Sequence, residues 1–366
     1  MPDDQYQPPP PSVQQQTPTQ TDQPGRMPPP PPPPPGFPVM LPMGQPKKTF
    51  ISRVKDALVL IIFFGSLLLN LMLLFITVAA GQVDTGLREK TLIDGADSQR
   101  IAVIDVNEVI TDELAEQLRP QFESVIKGKN YKALLLYVNS PGGGAVASDT
   151  IAHYVEGVKQ TEKPVVAFMG GVAASGGYYV SARADYIMAG PGTITGSIGV
   201  LAQLPNFHGT LQKIGAHVVV IPSTPATKKT IGSPFVPWDP ANRQYIQKLV
   251  DPFHERFVEV IYQGRKKHFT SIEAVEKLAD GAALTATKAK ESKLIDQDGA
   301  YFEQAVDKAA QLAGLDKPKV VRIFRTPSFR EMLSSRAAAS SPVVNVDSSL
   351  LDKFTTPRVM YLWQGQ

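Results

Sequence analysis

The chain has 366 residues, of which 43% are hydrophobic, enough to form one large domain or two ordinary ones with a sizeable core. Its 37 basic and 34 acidic side chains give a net charge of +3, which is too small to indicate a nucleic-acid-binding protein. There is no cysteine, so disulfide bonds, thiolate catalysis and cysteine-ligated zinc are excluded.

Residues 1–46 are rich in proline and glutamine. They hold 18 of the 33 prolines, including the uninterrupted run from Pro28 to Pro35. Such a segment cannot bury enough apolar surface to fold, and consecutive prolines favour the polyproline II conformation. We therefore predict a disordered cytoplasmic head over 1–46, with a docking site for a proline-binding partner as the alternative.

Residues 57–80 form an uncharged apolar stretch. As a helix rising ~1.5 Å per residue it would be about 36 Å long, enough to cross a ~30 Å hydrocarbon core. Four basic residues lie just before it, at positions 47, 48, 53 and 55, so the positive-inside rule predicts a cytoplasmic N-terminus and an extracytoplasmic remainder. The VAA before Gly81 matches a signal-peptidase site, so a cleaved signal is the alternative to a single-pass anchor.

In residues 99–325, apolar runs alternate with amphipathic helical patterns, which predicts parallel strands joined by right-handed crossovers in an α/β fold. The predicted strands are Ile101–Val106, Ala133–Ser140, Pro164–Met169, Ala184–Pro191 and Ile194–Ala202. The predicted helices include Glu113–Ile126, Ala241–Arg265, Ser271–Ala279, Ala286–Lys293 and Tyr301–Ala313. Residues 326–366 form a C-terminal extension, in which Arg358–Trp363 is predicted to be a strand packed on the core or on a neighbouring chain.

Two glycine-rich loops follow predicted strands and open predicted helices. NSPGGGA, from Asn139 to Ala145, predicts a tight turn whose backbone N–H groups suit an oxyanion or a phosphate. It matches neither a Walker A loop nor the G-x-G-x-x-G fingerprint. GGVAASGGYYVSARA, from Gly170 to Ala184, surrounds Ser175 with small residues. That arrangement suits either a nucleophile beside the Gly176 N–H or close packing of a helix on the sheet, and both interpretations stay open.

A serine nucleophile needs a base. None of the five histidines has a distinctive setting in the sequence; they are His153, His208, His217, His254 and His268. TKKTIGSPF places Lys228 and Lys229 in an otherwise uncharged loop, and a lysine can act as a base when burial keeps it uncharged. The alternative is an ordinary pair of solvated lysines.

Four motifs in this order resemble the signal peptide peptidase A family: NSPGGG, GGVAASGGYY, GTITGSIGV and KTIGSP. Members of that family are membrane-anchored bacterial serine proteases of the ClpP/crotonase superfamily. The similarity covers about Ile101 to Arg325, and the stretch from Gly281 to Val306 also resembles the family. It implies a ClpP/crotonase-like core of repeated β-β-α/βαβ units, preceded by one transmembrane helix.

The resemblance also implies roles for individual residues. Ser175 would be the nucleophile, Lys229 the general base, and Ser197 a hydrogen-bonding partner that orients the lysine amine. Gly143 and Gly176 would supply the N–H groups of the oxyanion hole. The family often has an acidic residue where threonine follows the lysine here. ClpP relatives use histidine and aspartate instead, but no histidine lies between positions 175 and 200 of this chain.

By this resemblance, the protein would be a membrane-bound serine endopeptidase without metal or cofactor. It would degrade apolar peptides, such as remnant signal peptides, on the extracytoplasmic side of the inner membrane. A homo-oligomeric ring is expected, with serine and lysine meeting across a subunit boundary. Two alternatives remain: a non-catalytic membrane scaffold of the same fold, and a crotonase-type enzyme that binds acyl-CoA.

Overall fold

The computed structural model describes residues 50–82, 86–326 and 358–364, so the predicted head over 1–46 lies outside the described residues. The chain divides into two compact units, one ending at Met72 and one beginning at Leu73. Helix α1 spans Phe50–Gln82, and its segment Arg53–Phe75 is long and apolar enough to cross a membrane, with a mean hydropathy of 2.7. Leucine, isoleucine and phenylalanine dominate this segment, which contains no proline to interrupt the helix.

The second unit is built on a mixed sheet that holds ten strands in the described part of the chain. They are β1 (Leu87–Ile93), β2 (Ala96–Ile110), β3 (Tyr131–Gly144), β4 (Val165–Ala174), β5 (Tyr186–Ala189), β6 (Ile194–Gly196), β7 (Leu201–Gln203), β8 (Ala283–Thr285), β9 (Pro318–Arg325) and β10 (Arg358–Leu362). The main order is β1-β9-β2-β3-β4-β6-β8; β5 also pairs with β4, and β10 pairs with β3 and β7. Strands β2, β3 and β4 are parallel, as their continuous apolar runs predicted.

Helices cover both faces of this sheet. They are α2 (Asp112–Lys127), α3 (Ala145–Lys159), α4 (Gly176–Ser181), α5 (His208–Lys213), α6 (Arg243–Gly264), α7 (Ile272–Glu276), α8 (Ala286–Glu291) and α9 (Phe302–Ala313). Alternate residues of β2 serve opposite faces: Ala102 and Ile104 join a cluster with α2, α3, α4 and α6, whereas Ile101 and Val103 join a second cluster with α9. This layered α/β arrangement confirms the predicted fold class.

Two features differ from the sequence-based expectations. The strand predicted over Ile194–Ala202 is divided into β6 and β7, because Gly196 and Ser197 adopt positive φ angles of 73° and 50° that end the extended run. The sheet also begins earlier than residue 99, since β1 pairs antiparallel with β9.

A buried ion pair ties the end of α6 to the segment after α8. The Arg265 side chain is fully buried, and its Nη1 lies 2.7 Å from Oδ2 of Asp296. The same carboxylate accepts a hydrogen bond from the Ile187 backbone N–H at 2.8 Å. Burial alone would raise the pKa of Asp296, but the hydrogen bond and charge of Arg265 outweigh burial and hold that pKa below its usual value.

We expect Asp296→Asn to lower the free energy of unfolding by about 3 kcal/mol, because it leaves the buried Arg265 cation without its counter-ion. Asp298→Asn is the matched control, since Asp298 pairs with the half-exposed Lys290 and its loss should cost less than about 1 kcal/mol. The depressed pKa means that Asp296 stabilises the fold above pH ~4 and loses this effect as the pH falls further. Urea denaturation at pH 7 measures the difference, and equal stability of the two variants would contradict the prediction.

Candidate active site

Ser175 lies at the sharp junction between β4 and α4. Its φ of 51° and ψ of −114° are strained for a residue with a side chain. Two backbone hydrogen bonds hold this conformation: the Ser175 N–H donates to the Gly196 carbonyl at 2.7 Å, and the Ser175 carbonyl accepts from the Tyr179 N–H at 2.8 Å. Only 1% of the residue is exposed. The fold therefore fixes this serine at the end of a strand at the cost of local strain, as is common at functional sites.

Ser197 is the neighbour of Ser175 across the sheet. Ala174 pairs with Gly196 in the parallel register of β4 and β6. Ser175 and Ser197 directly follow these two paired residues. Ser197 is held by its own N–H, which donates to the Ala282 carbonyl at 2.8 Å. Both serines line one cleft of about 960 Å³, together with Val200, Leu201, Gln247, Val250, Asp251, His254, Asp280, Leu362 and Trp363 among others.

The glycine-rich stretch NSPGGG does not form the predicted tight turn. It continues strand β3 to Gly144, with Gly142 opposite Val109 and Gly143 opposite Ile110 in the pairing with β2. Glycine is needed for this close approach, because a Cβ on Gly143 would lie 2.0 Å from the Ile110 carbonyl oxygen. The glycines therefore continue β3 as an extended strand beyond the level of Ser175 and do not form a turn.

A strand from the C-terminal extension occupies that edge. Strand β10 pairs antiparallel with β3 on one side, with Tyr361 opposite Gly143, and with β7 on the other side. Beyond the strand, the Trp363 N–H donates to the Pro141 carbonyl at 2.8 Å. The strand predicted over Arg358–Trp363 therefore packs on the core of its own chain and runs along the cleft.

The carbonyl oxygen of Tyr361 lies against two of the glycines. A Cβ on Gly142 would be 2.0 Å from this oxygen and 2.7 Å from the Gly176 backbone nitrogen, and a Cβ on Gly176 would be 3.1 Å from the same oxygen. Gly176 directly follows Ser175 in the chain. A peptide carbonyl is thus held against Gly142 and Gly176, and Gly176 is the residue next to the candidate nucleophile in the chain.

This geometry distinguishes the two glycines assigned from the sequence. Gly176 lies at the Tyr361 carbonyl, whereas the α-carbon of Gly143 faces Ile110 and Gly143 meets Tyr361 only through strand pairing. Gly142, with a φ of 102°, makes the closer contact with the carbonyl and was not singled out from the sequence. The sequence feature that could have indicated Gly142 is the run of three glycines, since any of the three could have been assigned to the oxyanion hole.

Within one chain, Lys229 is not brought to Ser175. It lies exposed on a short 3-10 helix, Thr227–Thr230, and is not among the described residues that line the cleft. The neighbouring Lys228 places its ammonium group 5.4 Å from the centroid of the Tyr245 ring. The surrounding segment, residues 204–240, leaves large apolar side chains exposed, including Ile214 (72%), Val219 (79%), Ile221 (85%) and Trp238 (44%).

Two family models match overlapping parts of this chain. The model for peptidase family S49 matches residues 158–316, and the model for Clp protease matches residues 88–190. The first of these ranges contains Ser175, Ser197 and Lys229. The second contains the glycine-rich end of β3 and also Ser175.

Proteins that are similar to this chain over most of its length have peptidase names. A signal peptide peptidase SppA of Enterococcus faecium is 33% identical over 298 residues, covering 76% of this chain and 85% of that protein. Protease 4 of Haemophilus influenzae is 31% identical over 292 residues, covering 72% of this chain and 46% of that protein. The chain thus spans about half the length of this second relative. A solved structure of a membrane-bound stomatin-specific protease aligns with a TM-score of 0.38 and 18% identity, over 66% of this chain and 98% of that chain.

Proposed function

This chain belongs to peptidase family S49, and on that premise we propose that it is a serine endopeptidase with Ser175 as nucleophile and Lys229 as general base. The observation that carries the proposal is the Tyr361 carbonyl oxygen, which lies against Gly142 and against Gly176, the residue that follows Ser175. A substrate peptide bound in the same way as β10 would present to Ser175 the bond that corresponds to the one between Tyr361 and Leu362. An extended peptide is bound here by addition of a strand to a sheet edge, a general mode of peptide recognition.

The proposed reaction follows from these positions. Uncharged Lys229 accepts the proton of the Ser175 hydroxyl, and Oγ forms a bond to the peptide carbonyl carbon. Backbone N–H groups of Gly176 and of the glycine-rich end of β3 stabilise the oxyanion. The C–N bond then breaks, and protonated Lys229 gives its proton to the leaving amine. Water, activated by the lysine, hydrolyses the acyl-enzyme, while Ser197 orients the lysine amine.

The lysine has to come from a second copy of the chain in this proposal. Lys229 is exposed within its own chain, on a segment whose apolar side chains are exposed as well. Large exposed apolar surfaces usually mark contacts with other molecules, since burying them stabilises a complex by about 25 cal/mol per Å². A neighbour that covers residues 204–240 would receive Lys229 in its own cleft. Repetition of this contact gives a closed homo-oligomeric ring.

The substrates and the location follow from the apolar helix and the cleft. One apolar segment in α1 supports a membrane anchor, and the four basic residues before it support a cytoplasmic N-terminus. The peptidase unit then acts outside the cytoplasm, at the inner membrane surface. Val200, Leu201 and Val250 in the cleft suit apolar peptides, and remnant signal peptides are such peptides released at that surface.

A covalent probe tests this function directly. A peptidyl diphenyl phosphonate with the sequence Val-Met-Tyr before its reactive phosphorus should form one stable adduct on Ser175, located by mass spectrometry of digested protein. Ser175→Ala should remain unlabelled under the same conditions. Labelling of a different serine, or equal labelling of the Ser175→Ala variant, would refute the assignment. An unlabelled chain that binds coenzyme A would favour the crotonase-type alternative.

A further inference from the structure

Ser140 lies at an irregularity in the pairing of strands β2 and β3. Asn107 pairs with Asn139, but two residues further along β2 the partner is Gly142, which lies three residues further along β3. One residue of β2, Glu108, therefore faces two residues of β3, of which Ser140 is the first. This arrangement is a β-bulge, and a bulge changes the direction of the residues that follow it. Here those residues are the glycine-rich end of β3.

The Ser140 side chain supplies the hydrogen bonds within this bulge. The second residue of the bulge, Pro141, has no N–H group to donate. The Ser140 hydroxyl donates to the Glu108 carbonyl, and its oxygen accepts a hydrogen bond of 3.1 Å from the Gly142 N–H. Because Ser140 is fully buried, bulk water does not reach these contacts. The conformation of the bulge therefore depends on one hydroxyl group.

Ser140 also lies against both elements that meet at Ser175. It pairs with Ala173 in β4, two residues before Ser175. At the start of α4, a Cβ on Gly177 would lie 2.7 Å from the Ser140 carbonyl oxygen. Ser140 thus connects the glycine-rich end of β3 to the strand–helix junction that holds the candidate nucleophile.

The hydrogen bond to Ser140 also influences the direction of the next N–H group along β3. It holds the peptide plane between Pro141 and Gly142. The backbone of Gly142, with its φ of 102°, relates this plane to the one that carries the Gly143 N–H. The N–H of Gly142 is already bonded to Ser140, so Gly143 is the next donor along this stretch for an oxyanion in the proposed function.

We propose that Ser140 is a positioning residue for the oxyanion hole: its hydroxyl holds the bulge in the conformation that directs the Gly143 N–H to the substrate carbonyl. This inference rests on the proposed peptidase function. Ser140 acts through the backbone of the glycines and not on the substrate itself, so its loss should weaken stabilisation of the transition state more than binding of the peptide. We expect Ser140→Ala to lower kcat at least about tenfold and to leave KM within about twofold of the wild type.

The test compares two substrates that differ in one atom. They are the methyl ester of N-acetyl-Val-Met-Tyr and the corresponding thionoester, in which sulfur replaces the carbonyl oxygen. Sulfur is a weak hydrogen-bond acceptor, so an intact oxyanion hole favours the ester. For each full-length variant, the ratio of the two kcat/KM values is measured. The intrinsic reactivities of the two substrates are the same for every variant and cancel when these ratios are compared.

We expect Ser140→Ala to lower the ratio of ester to thionoester hydrolysis about tenfold relative to the wild type. Ser181→Ala is the matched control, because Ser181 is also fully buried and its hydroxyl donates to one backbone carbonyl, that of Gly177, at 2.8 Å. This control should keep the wild-type ratio. Ser140→Thr retains the hydroxyl and should keep that ratio as well, whatever its overall activity. A loss of folded protein lowers both rates by the same factor and leaves the ratio unchanged.

An unchanged ratio in Ser140→Ala would overturn the positioning role and leave the peptidase function intact. An equal fall in Ser181→Ala or in Ser140→Thr would do the same. If Ser140→Ala does not fold, Ser140→Cys takes its place, since a thiol has nearly the shape of the hydroxyl but donates and accepts hydrogen bonds weakly. Wild-type protein that hydrolyses neither substrate, or ester hydrolysis that survives Ser175→Ala, would refute the proposed function itself and this inference with it.

Discussion

Mixed oligomers of two inactive variants, Ser175→Ala and Lys229→Ala, are expected to recover about a quarter of the wild-type peptidase activity. Each variant alone should lose more than about a thousandfold in kcat, because removal of a nucleophile or its base eliminates most of the catalysis of a serine protease. In the proposed function, a complete site needs the serine of one copy and the lysine of the next. In a random ring with equal amounts of both chains, about one junction in four has both, whereas a ring of one variant has none.

The mixed oligomers are made by co-expression of differently tagged chains, and activity is measured on tandem-purified protein with an apolar peptide. Lys228→Ala is the matched control and should stay active, because its ammonium group lies over the Tyr245 ring. Lys229→Arg should stay inactive, because a guanidinium cannot give up its proton to act as a base. Inactive mixed oligomers would place the base within the same chain. A fully active Lys229→Ala protein would remove the lysine from the mechanism.

Gly142→Ala is expected to lower kcat/KM more than about a hundredfold, whereas Gly144→Ala, two residues further along, should leave it nearly unchanged. A Cβ on Gly142 would lie 2.0 Å from the Tyr361 carbonyl oxygen of β10. The φ of Gly142, 102°, also disfavours any residue with a side chain at this position. The Cβ of an alanine at 144 would meet nothing closer than 3.6 Å. In the proposed function, the added methyl group at 142 would therefore push the substrate carbonyl away from the Gly176 backbone nitrogen, which lies 2.7 Å from that Cβ position.

Steady-state kinetics on both variants check this prediction, and circular dichroism shows whether each has kept its secondary structure. A folded Gly142→Ala protein with normal kcat/KM would show that the carbonyl of a substrate does not lie where the Tyr361 carbonyl lies. Equal losses in the two variants would point to a general disturbance of β3 and not to the contact with the carbonyl.

The central sheet could be predicted from the sequence because its signal is local. Strands β2, β3 and β4 are buried on both faces, so each is a continuous apolar run. The glycine-rich end of β3 gave no such signal. Glycine is compatible with a turn and with an extended strand. The extended conformation is selected by pairing with Ile110 on one side and with β10 on the other. Strand β10 lies more than 200 residues further along the chain.

The residues of the candidate site that lie in a sequence motif could be predicted. The contacts that tertiary packing creates between them could not. The small neighbours of Ser175 made it a candidate nucleophile, with close packing as the alternative, and the structure places it at a strand–helix junction. Its position beside Ser197 depends on the pairing of Ala174 with Gly196, which no local pattern specifies. The rings of Tyr179, Phe257 and Tyr361 pack together in the core, and no local pattern predicts that they meet. Whether Lys229 reaches a serine depends on a second copy of the chain.

The Tyr361 ring belongs to the main hydrophobic cluster of the peptidase unit, packed with Tyr179 and Phe257 as a core residue would be. Removal of β10 from its place would therefore open a hole in the core, and the loss of a buried aromatic ring typically costs about 3–5 kcal/mol of folding stability. Any peptide that refills the hole restores part of that stability by mass action. If a substrate strand takes the place of β10, as the proposed function implies, the melting temperature is expected to be lowest between release of one product and binding of the next peptide.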